Sequence, residues 1–455
     1  MQDIIDVLKQ NSSDALAELQ QFVRMETVST LPEKTDELRD CAKYLTGLLS
    51  DAGMEHVEIL ETGGHPVVYA DWLHADDAPT ILIYGHYDVQ PVDPVELWHA
   101  DPFDPQVVDN RLVARGASDD KGQVHMHIRA VRAWLQSRRT LPINVKFLLE
   151  GEEEIASVNL PGLLERERER FQADLLVVSD TNMVSPEQPA ISYGLRGLAY
   201  LEVNLTGPNR DLHSGIFGGA VLNPLHEAAR LINLLHDDQG RIAIPRFYDD
   251  VIPLTDDERE QLARLPFDRA EFQRELGVKA LAGEDGFTPL EQTGARPTCE
   301  INGLLGGYTD AGAKTVLPSR AMFKISFRLV PDQTPELVME LLENYLEAQV
   351  SPGVQLEVTR FAGGFPVLTP WNSTVVQAAS RALVAGFGVE PVLLREGGSI
   401  PVVADIQRLL GIPPLLIGFG LPDSRIHSPN ENFNLDVYER GSVSLVHLLA
   451  ELSTT

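Results

Sequence analysis

The sequence predicts an α/β protein with a second unit, of α+β type, inserted into it. In the first part of the chain amphipathic helices alternate with short apolar strands, such as a helix over 35–52 and a strand over 80–84. From Leu198 to Leu205 apolar and polar residues alternate, which indicates a strand with one buried face. A chain of 455 residues exceeds one ordinary hydrophobic core. We therefore predict one domain from residues 1–196 and 364–455, and an inserted domain from residues 197–363.

The individual elements are predicted from the spacing of apolar residues and from glycine and proline breaks. In the first domain we predict helices over 12–24, 35–52 and 160–171, a helix after Asp120, and strands over 57–60, 67–70, 80–84, 143–149, 174–178 and 414–419. Gly85 is expected to end the strand over 80–84. In the inserted domain we predict strands over 198–205, 321–330 and 354–359, helices over 223–235 and 336–348, and a proline- and acid-rich excursion over 244–297.

The composition is typical of a soluble globular protein, with 43% hydrophobic and 23% charged residues. No apolar run is long enough to span a bilayer, and the first residues lack the pattern of a signal peptide. The two cysteines, Cys41 and Cys299, lie far apart and fit a reducing compartment. The net charge of −30 without a basic patch argues against nucleic-acid binding. We therefore predict a cytoplasmic protein with neither membrane nor nucleic-acid partners.

Polar side chains follow four of the predicted strands, where sites of α/β proteins form. These strand-end groups are His86 with Asp88, the acidic run Glu150 to Glu154, Asp180, and the loop Asp423 to Ser428 with His427. Taken alone, the His86 segment also fits a turn histidine capped by an aspartate, and the acidic run also fits a solvated loop. Because imidazole and carboxylate occur together, zinc, manganese or cobalt suits these residues better than calcium or magnesium.

A pair of adjacent aspartates, Asp119 and Asp120, precedes the helix that follows Asp120. One of them is expected to cap the helix N-terminus. Two adjacent carboxylates exceed what a cap requires.

Taken together, five segments resemble one family closely. They resemble the dinuclear metallopeptidases that include carnosine-type and non-specific dipeptidases, glutamate carboxypeptidases, aminoacylases and succinyl-diaminopimelate desuccinylase. The segments, in chain order, are Gly85 to Val89, Ala117 to Gly122, Glu150 to Glu154, Ser179-Asp180 and His427-Ser428. The resemblance implies a zinc-peptidase-like catalytic domain with a central mixed sheet flanked by helices, and an inserted domain that serves as lid and homodimer surface.

The resemblance also implies a role for each matched residue. His86 and Asp180 would bind one metal ion, Glu154 and His427 the other, and Asp119 would bridge both, with a cis peptide between Asp119 and Asp120. Two divalent metal ions per chain are implied, Zn²⁺ in first place and Mn²⁺ or Co²⁺ as alternatives. Asp88 would orient His86, and Glu153 would be the general base for a water shared by the two ions.

Residues of the inserted domain, together with Gly398 and Ser399 of the first domain, are matched to substrate contacts. His213 would donate to the oxyanion, from the other subunit in dimeric members of the family; without the family it fits a loop histidine bonded to Asp211. Arg328, Gly398 and Ser399 would hold the substrate carboxylate. Thr315 is a further candidate that fits an ordinary strand threonine equally well.

The function we predict is hydrolysis of dipeptides that carry a free C-terminal carboxylate. Segments 212–219 and 395–401 resemble the dipeptidase branch of the family. The alternative is an N-acyl-amino-acid deacylase with the same two metal ions. Glu153 and all five matched ligands are present, which argues against a catalytically silent binding module. An acidic metal store would bind many ions without needing Glu153, and a stoichiometry near two metal ions per chain would exclude it.

Overall fold

The computed structural model describes residues 1–265, 267–398 and 400–455, with only the backbone of Ala362. It divides into two compact units. The first comprises Met1–Tyr193, Thr369–Leu394 and Asp405–Thr455, and the second Gly194–Leu368 and Arg395–Ala404. The sequence prediction had assigned residues 395–404 to the first domain. They lie in the second unit because Arg395 forms a buried ion pair with Glu258 and the Gly398 carbonyl accepts the N–H of Arg196.

The strands, in chain order, are β1 Glu55–Leu60, β2 Val67–Trp72, β3 Thr80–His86, β4 Gln106–Val108, β5 Arg111–Val113, β6 Asn144–Glu150, β7 Leu175–Val178, β8 Ala190–Leu195, β9 Gly197–Thr206, β10 Leu212–His213, β11 Thr298–Gly306, β12 Val316–Leu317, β13 Arg320–Leu329, β14 Gln355–Gly364, β15 Val367–Leu368, β16 Val392–Glu396, β17 Pro414–Leu416 and β18 Asn432–Asn434.

The helices, in chain order, are α1 Gln2–Gln10, α2 Ser12–Val23, α3 Thr35–Asp51, α4 Lys121–Arg138, α5 Leu160–Arg166, α6 Arg168–Phe171, α7 Ser214–Phe217, α8 Pro224–Asn233, α9 Asp256–Ala263, α10 Arg269–Glu275, α11 Pro289–Gly294, α12 Pro335–Gln349, α13 Thr374–Phe387, α14 Pro401–Leu410 and α15 Leu435–Leu452. Short 3₁₀ helices cover Pro32–Lys34, Val95–Leu97 and Glu153–Ile155.

The central sheet of the first unit is mixed, in the order β1-β2-β6-β3-β7-β17-β8. Strand β3 runs parallel to both β6 and β7, and β17 runs parallel to β7, whereas β1 and β2 are antiparallel to their neighbours. The carboxyl ends of β3, β6, β7 and β17 therefore share one edge of the sheet. This arrangement, with helices packed on the sheet, confirms the predicted fold class.

Strand β3 extends beyond the predicted end. Gly85 was expected to terminate it, but the pairing continues through His86, which lies opposite Glu150 on β6. The next N–H, that of Tyr87, donates to the Glu150 carbonyl at 2.8 Å. The ladder continues because a side chain at residue 85 would collide with Val124 and Asp120, and glycine avoids that collision.

Helix α4 packs against β3 and is buried over most of its length. It also contacts α1 and α15, and α15 packs on α13. Helices α1, α13 and α15 are not among the helices predicted from the sequence, although their apolar residues complete the core of this unit. Within the described residues, no helix combines the length and the apolar character that crossing a bilayer requires.

The second unit is built on an antiparallel sheet in the order β11-β13-β9-β14. Buried and half-buried residues alternate along β9 and β13, as predicted for strands with one covered face. Helices α8 and α12 cover that face. In the described part of the stretch over 244–297 there are three short helices, and two of them begin with a capping box, Thr255 with Glu258 and Thr288 with Glu291.

Candidate metal centre

Side chains from five segments meet at the edge where the parallel strands end. His86 is the last residue of β3, Asp180 follows β7 by two residues, and Glu154 lies in the turn after β6. Asp119 precedes α4, and His427 lies in the loop after β17. The strand order brings these groups together because neighbouring parallel strands present their carboxyl ends side by side.

Asp119 lies between the two histidines. Its Oδ1 is 3.0 Å from His86 Nε2, and its Oδ2 is 2.9 Å from His427 Nε2. Asp180 Oδ2 lies 4.0 Å from His86 Nε2, and Glu154 Oε2 lies 3.3 Å from His427 Nε2. Asp119 therefore faces both histidines. In addition, Asp180 lies near His86 only and Glu154 near His427 only.

The nitrogen of His86 that faces this cluster has the properties of a metal ligand. His86 is completely buried, and its Nδ1 lies 3.1 Å from the Asp88 carbonyl oxygen, a contact that places the ring hydrogen on Nδ1. In the neutral ring Nε2 then carries the lone pair, and among the described residues it has no hydrogen-bond partner of acceptable geometry. A buried lone pair surrounded by carboxylates would be costly without a cation.

The donor set fits two divalent cations. His86, Asp119 and Asp180 form one group and Asp119, Glu154 and His427 the other, with the ligand atoms of each group within 4.8 Å of one another. One imidazole with two carboxylates suits zinc, manganese or cobalt. The five residues that the sequence analysis matched to metal ligands are thus the five that the fold brings together.

Asp88 contacts two parts of the centre. Its main-chain carbonyl oxygen lies 3.1 Å from His86 Nδ1, whereas its carboxylate Oδ1 is farther away, at 3.4 Å from the same nitrogen. The carboxylate instead accepts the backbone N–H groups of Glu153 and Glu154, at 3.2 and 3.1 Å. Asp88 therefore joins the end of β3 to the turn that carries the predicted base and one predicted ligand.

Glu153 lies in an environment that favours its protonated form. Burial raises the pKa of its carboxyl to about 7, and the negative charges of Glu154, Asp119 and Asp88 add to the rise against the opposing effect of His86. A carboxyl with a pKa near neutrality can both take up and release a proton at physiological pH. This property matches the role of general base that the family resemblance implies.

Asp120 does not cap α4 as expected. It occupies the N-cap position, but its side chain makes no capping hydrogen bond. Its Oδ2 accepts the N–H of His86 at 3.3 Å, so the carboxylate faces β3 rather than the first turn of the helix. The peptide between Asp119 and Asp120 is cis, as expected.

Two further residues at the centre were not singled out from the sequence. The Gln90 side chain donates to Glu154 Oε2 at 2.7 Å, and the buried Glu431 contacts the segment that ends in Asp119. Both lie close in sequence to predicted site residues, which is the only signal that could have pointed to them. A single polar residue in a polar loop is usually solvated, and no periodicity marks it.

Of the predicted substrate residues, His213, Thr315, Arg328 and Gly398 lie in the second unit. His213 ends β10, is exposed, and accepts the N–H of Gly215 on Nδ1 at 3.0 Å. Asp211 is not its partner, because the Asp211 carboxylate accepts the N–H and hydroxyl of Ser319, both at 2.9 Å. The ring hydrogen of His213 is therefore assigned to Nε2.

The remaining substrate candidates of this unit are placed as follows. Arg328 lies on β13, opposite Thr298 on β11 and Leu198 on β9. Thr315 is exposed and directly precedes β12. Gly398 is exposed, and its carbonyl is held by the N–H of Arg196, whereas Ser399 lies outside the described residues.

Comparison with known proteins decides the family. Residues 82–451 match the model of peptidase family M20/M25/M40. The chain belongs to this family. It is therefore a metallopeptidase, and the family resemblance predicted from its segments is confirmed.

Named relatives extend over most of the chain. The metallopeptidase is 34% identical over 397 residues to the Beta-Ala-His dipeptidase of Rattus norvegicus, an alignment that covers 85% of this chain and 80% of the relative. It is 29% identical to the Cys-Gly metallodipeptidase DUG1 of Candida albicans, over 98% of this chain and 96% of the relative.

Solved structures agree with this assignment. The M20 family metallo-carboxypeptidase Sso-CP2 from Sulfolobus solfataricus superposes with a TM-score of 0.84 at 36% identity, over 97% of this chain and 99% of the other. Human carnosine dipeptidase 1 superposes with a TM-score of 0.79 at 31% identity, over 100% of this chain and 99% of the other.

Proposed function

We propose that this metallopeptidase hydrolyses dipeptides with a free C-terminal carboxylate, using two divalent metal ions. Zn²⁺ is the ion that we propose, with Mn²⁺ or Co²⁺ as alternatives. The observation that carries the proposal is the position of Asp119, with one carboxylate oxygen 3.0 Å from His86 and the other 2.9 Å from His427. Relatives named for Beta-Ala-His and Cys-Gly support dipeptides as the substrate class.

The five ligands would be His86, Asp119, Asp180, Glu154 and His427. When bound, the two cations would polarise the scissile carbonyl and make the attacking water more acidic. Glu153 takes a proton from the water that attacks the carbonyl carbon, and returns it to the leaving nitrogen as the C–N bond breaks. Burial and the neighbouring carboxylates, which raise the pKa of Glu153, favour its holding the proton between the two transfers.

The substrate contacts are proposed for the second unit. His213 would donate its Nε2–H to the substrate carbonyl oxygen, which becomes negatively charged during attack. Arg328, with Thr315, Gly398 and Ser399, would bind the C-terminal carboxylate. Homodimerisation through the second unit and a cytoplasmic location stay predictions from the sequence.

The proposed reaction is tested by measuring release of free amino acids from a plain dipeptide and from an N-acetylated amino acid, with Zn²⁺ or Mn²⁺ added. Glu153→Gln is compared with the native chain, and Glu165→Gln, a change on an exposed face of α5, is the matched control. We expect dipeptide turnover by the native chain and the control, and a fall of about 100-fold or more in Glu153→Gln with metal binding retained.

Each other result has a defined meaning. Turnover of the acetylated compound alone would replace the dipeptidase proposal with the deacylase. Full dipeptide turnover by Glu153→Gln would remove Glu153 from the role of base. Failure of the native chain to bind metal ions would overturn the proposed centre itself.

A further inference from the structure

Glu431 is a charged residue buried at the base of the metal centre. It is completely inaccessible to solvent, and four N–H groups donate to its two carboxylate oxygens. Oε1 accepts the backbone N–H of Ser118 at 2.9 Å and of Asp119 at 3.1 Å. Oε2 accepts Arg115 Nη1 at 2.7 Å and the backbone N–H of Gly116 at 3.1 Å. All four donors to this carboxylate thus come from one short segment, residues 115–119.

The main chain of Glu431 contacts the same segment. Its carbonyl accepts the N–H of Ala114 at 3.1 Å, so residues 114–119 are held at both ends. Glu431 follows His427 by four residues within one loop, and Asp119 is the last residue of the segment that Glu431 holds. One side chain therefore connects the backbone that carries Asp119 to the loop that carries His427.

Arg115 is the charged partner of the Glu431 carboxylate. It is almost fully buried, donates to Glu431 through Nη1 and to the Pro91 carbonyl through Nη2 at 2.9 Å, and lies over the ring of Trp98. The ion pair compensates the charge of Glu431. The contacts that reach Asp119, in contrast, are the two backbone N–H donors to Oε1, and these do not involve Arg115.

We propose that Glu431 is a positioning residue for the metal centre, which holds Asp119 and His427 at the separation that two cations require. Ligand side chains need partners that limit their movement, and loss of such a partner typically weakens metal affinity about 10- to 100-fold. The inference rests on the proposed function in taking Asp119 and His427 as metal ligands. It goes beyond it by assigning the spacing between them to a residue outside both proposed ligand groups.

The competing explanation is that Glu431 and Arg115 form only a structural ion pair. The second unit offers a matched control for that explanation. Glu284 and Arg296 form a buried bidentate pair, at 2.7 and 2.8 Å, far in sequence from every proposed ligand. Loss of either pair should lower stability, but only loss of the Glu431 contacts should weaken metal binding.

The test compares Glu431→Gln, Arg115→Met and Glu284→Gln in the full chain, by thermal unfolding and by titration with Zn²⁺ against a chromophoric chelator. In Glu431→Gln an NH₂ group replaces one oxygen and faces only donors, so we expect Zn²⁺ affinity to fall at least 10-fold. Arg115→Met leaves the three backbone N–H bonds to Glu431, and Glu284→Gln leaves the whole network. We expect both to lose thermal stability and to keep Zn²⁺ affinity within about threefold of the native value.

The outcomes separate the two proposals. Native Zn²⁺ affinity in a folded Glu431→Gln protein would overturn the positioning role, and so would an equal loss of affinity in all three variants. If Glu431→Gln does not fold, Glu431→Asp provides the same comparison, because its shorter carboxylate keeps the charge but cannot reach all four donors. If the native chain binds no Zn²⁺ and no Mn²⁺, the proposed function fails before the role of Glu431 is reached.

Discussion

The carboxylate of Asp88 accepts the backbone N–H of Glu153 at 3.2 Å, and its second oxygen accepts the next N–H, that of Glu154. The main-chain carbonyl of the same aspartate contacts His86. One residue at the end of β3 thus sets the positions of a proposed ligand in its own segment and of the proposed base in another.

Replacement of Asp88 should therefore impair catalysis more than stability. Asp88→Asn has the same shape, but its NH₂ group would face one of the two N–H donors of the turn. We expect kcat to fall about 10- to 100-fold with a smaller change in KM. Steady-state kinetics on a dipeptide measure this, with Asp71→Asn, at a buried carboxylate on β2, as control. An unchanged kcat in Asp88→Asn would show that the turn keeps its place without the carboxylate.

Removal of the metal ions should lower the free energy of unfolding. A ligand that binds one site of the folded state only stabilises that state by about 2.7 kcal/mol at a concentration 100 times its Kd. We expect a chelator to lower the melting temperature and Zn²⁺ to restore it.

Two ligand variants should separate the two sites. Because Asp119 faces both histidines and His427 belongs to one group only, His427→Ala should keep about one metal ion per chain and Asp119→Asn should bind neither ion tightly. Metal content after gel filtration is the measurement. Two tightly held ions in Asp119→Asn would contradict the bridging role.

His127 should make stability depend on pH. It is buried on α4, and its Nε2 forms a hydrogen bond with the Ser179 hydroxyl oxygen, 2.8 Å away. Burial lowers its pKa from 6.5 to about 3. Above pH 6.5 the imidazole is neutral in both folded and unfolded chains and contributes no pH dependence. As the pH falls below 6.5, the unfolded chain binds a proton that the folded chain does not, so the folded state loses stability.

The expected loss of unfolding free energy follows from the lowered pKa of His127. Between pH 7 and pH 5 the native chain should lose about 2 kcal/mol more of its unfolding free energy than His127→Gln. Urea unfolding at several pH values gives this difference, and His74→Gln, at an exposed histidine, should follow the native curve. Parallel curves for the native chain and His127→Gln would show that the imidazole is protonated without cost to the fold.

Arg328 should contribute to recognition of the substrate carboxylate. We expect Arg328→Met to raise KM for a dipeptide at least 10-fold, since a charge-assisted pair with the carboxylate is lost. The same change should scarcely affect the dipeptide amide, which lacks that charge. Arg320→Met, at the other end of β13, is the control. An equal effect on dipeptide and amide would assign Arg328 to the fold of the second unit.

The residue pattern was enough to predict the α/β class and the strand ends that carry His86, Asp180 and the Glu150 to Glu154 run. Apolar periodicity follows directly from which faces are buried, so it can be read along the chain. The choice of ligands among several carboxylates came from the resemblance to a family, because neighbouring acidic residues such as Glu153 and Glu154 look alike in composition.

The tertiary structure decided which partner each polar group has. Asp120 faces His86 rather than capping α4, Asp211 bonds Ser319 rather than His213, and residues 395–404 join the second unit. The contact of Glu431 with Asp119 joins residues 312 positions apart. Such hydrogen bonds depend on the distance and direction between single atoms of distant segments. These distances and directions leave no periodic signal in the sequence. The sequence by itself thus determined which residues are available for the chemistry, and the fold determined how far apart they are held.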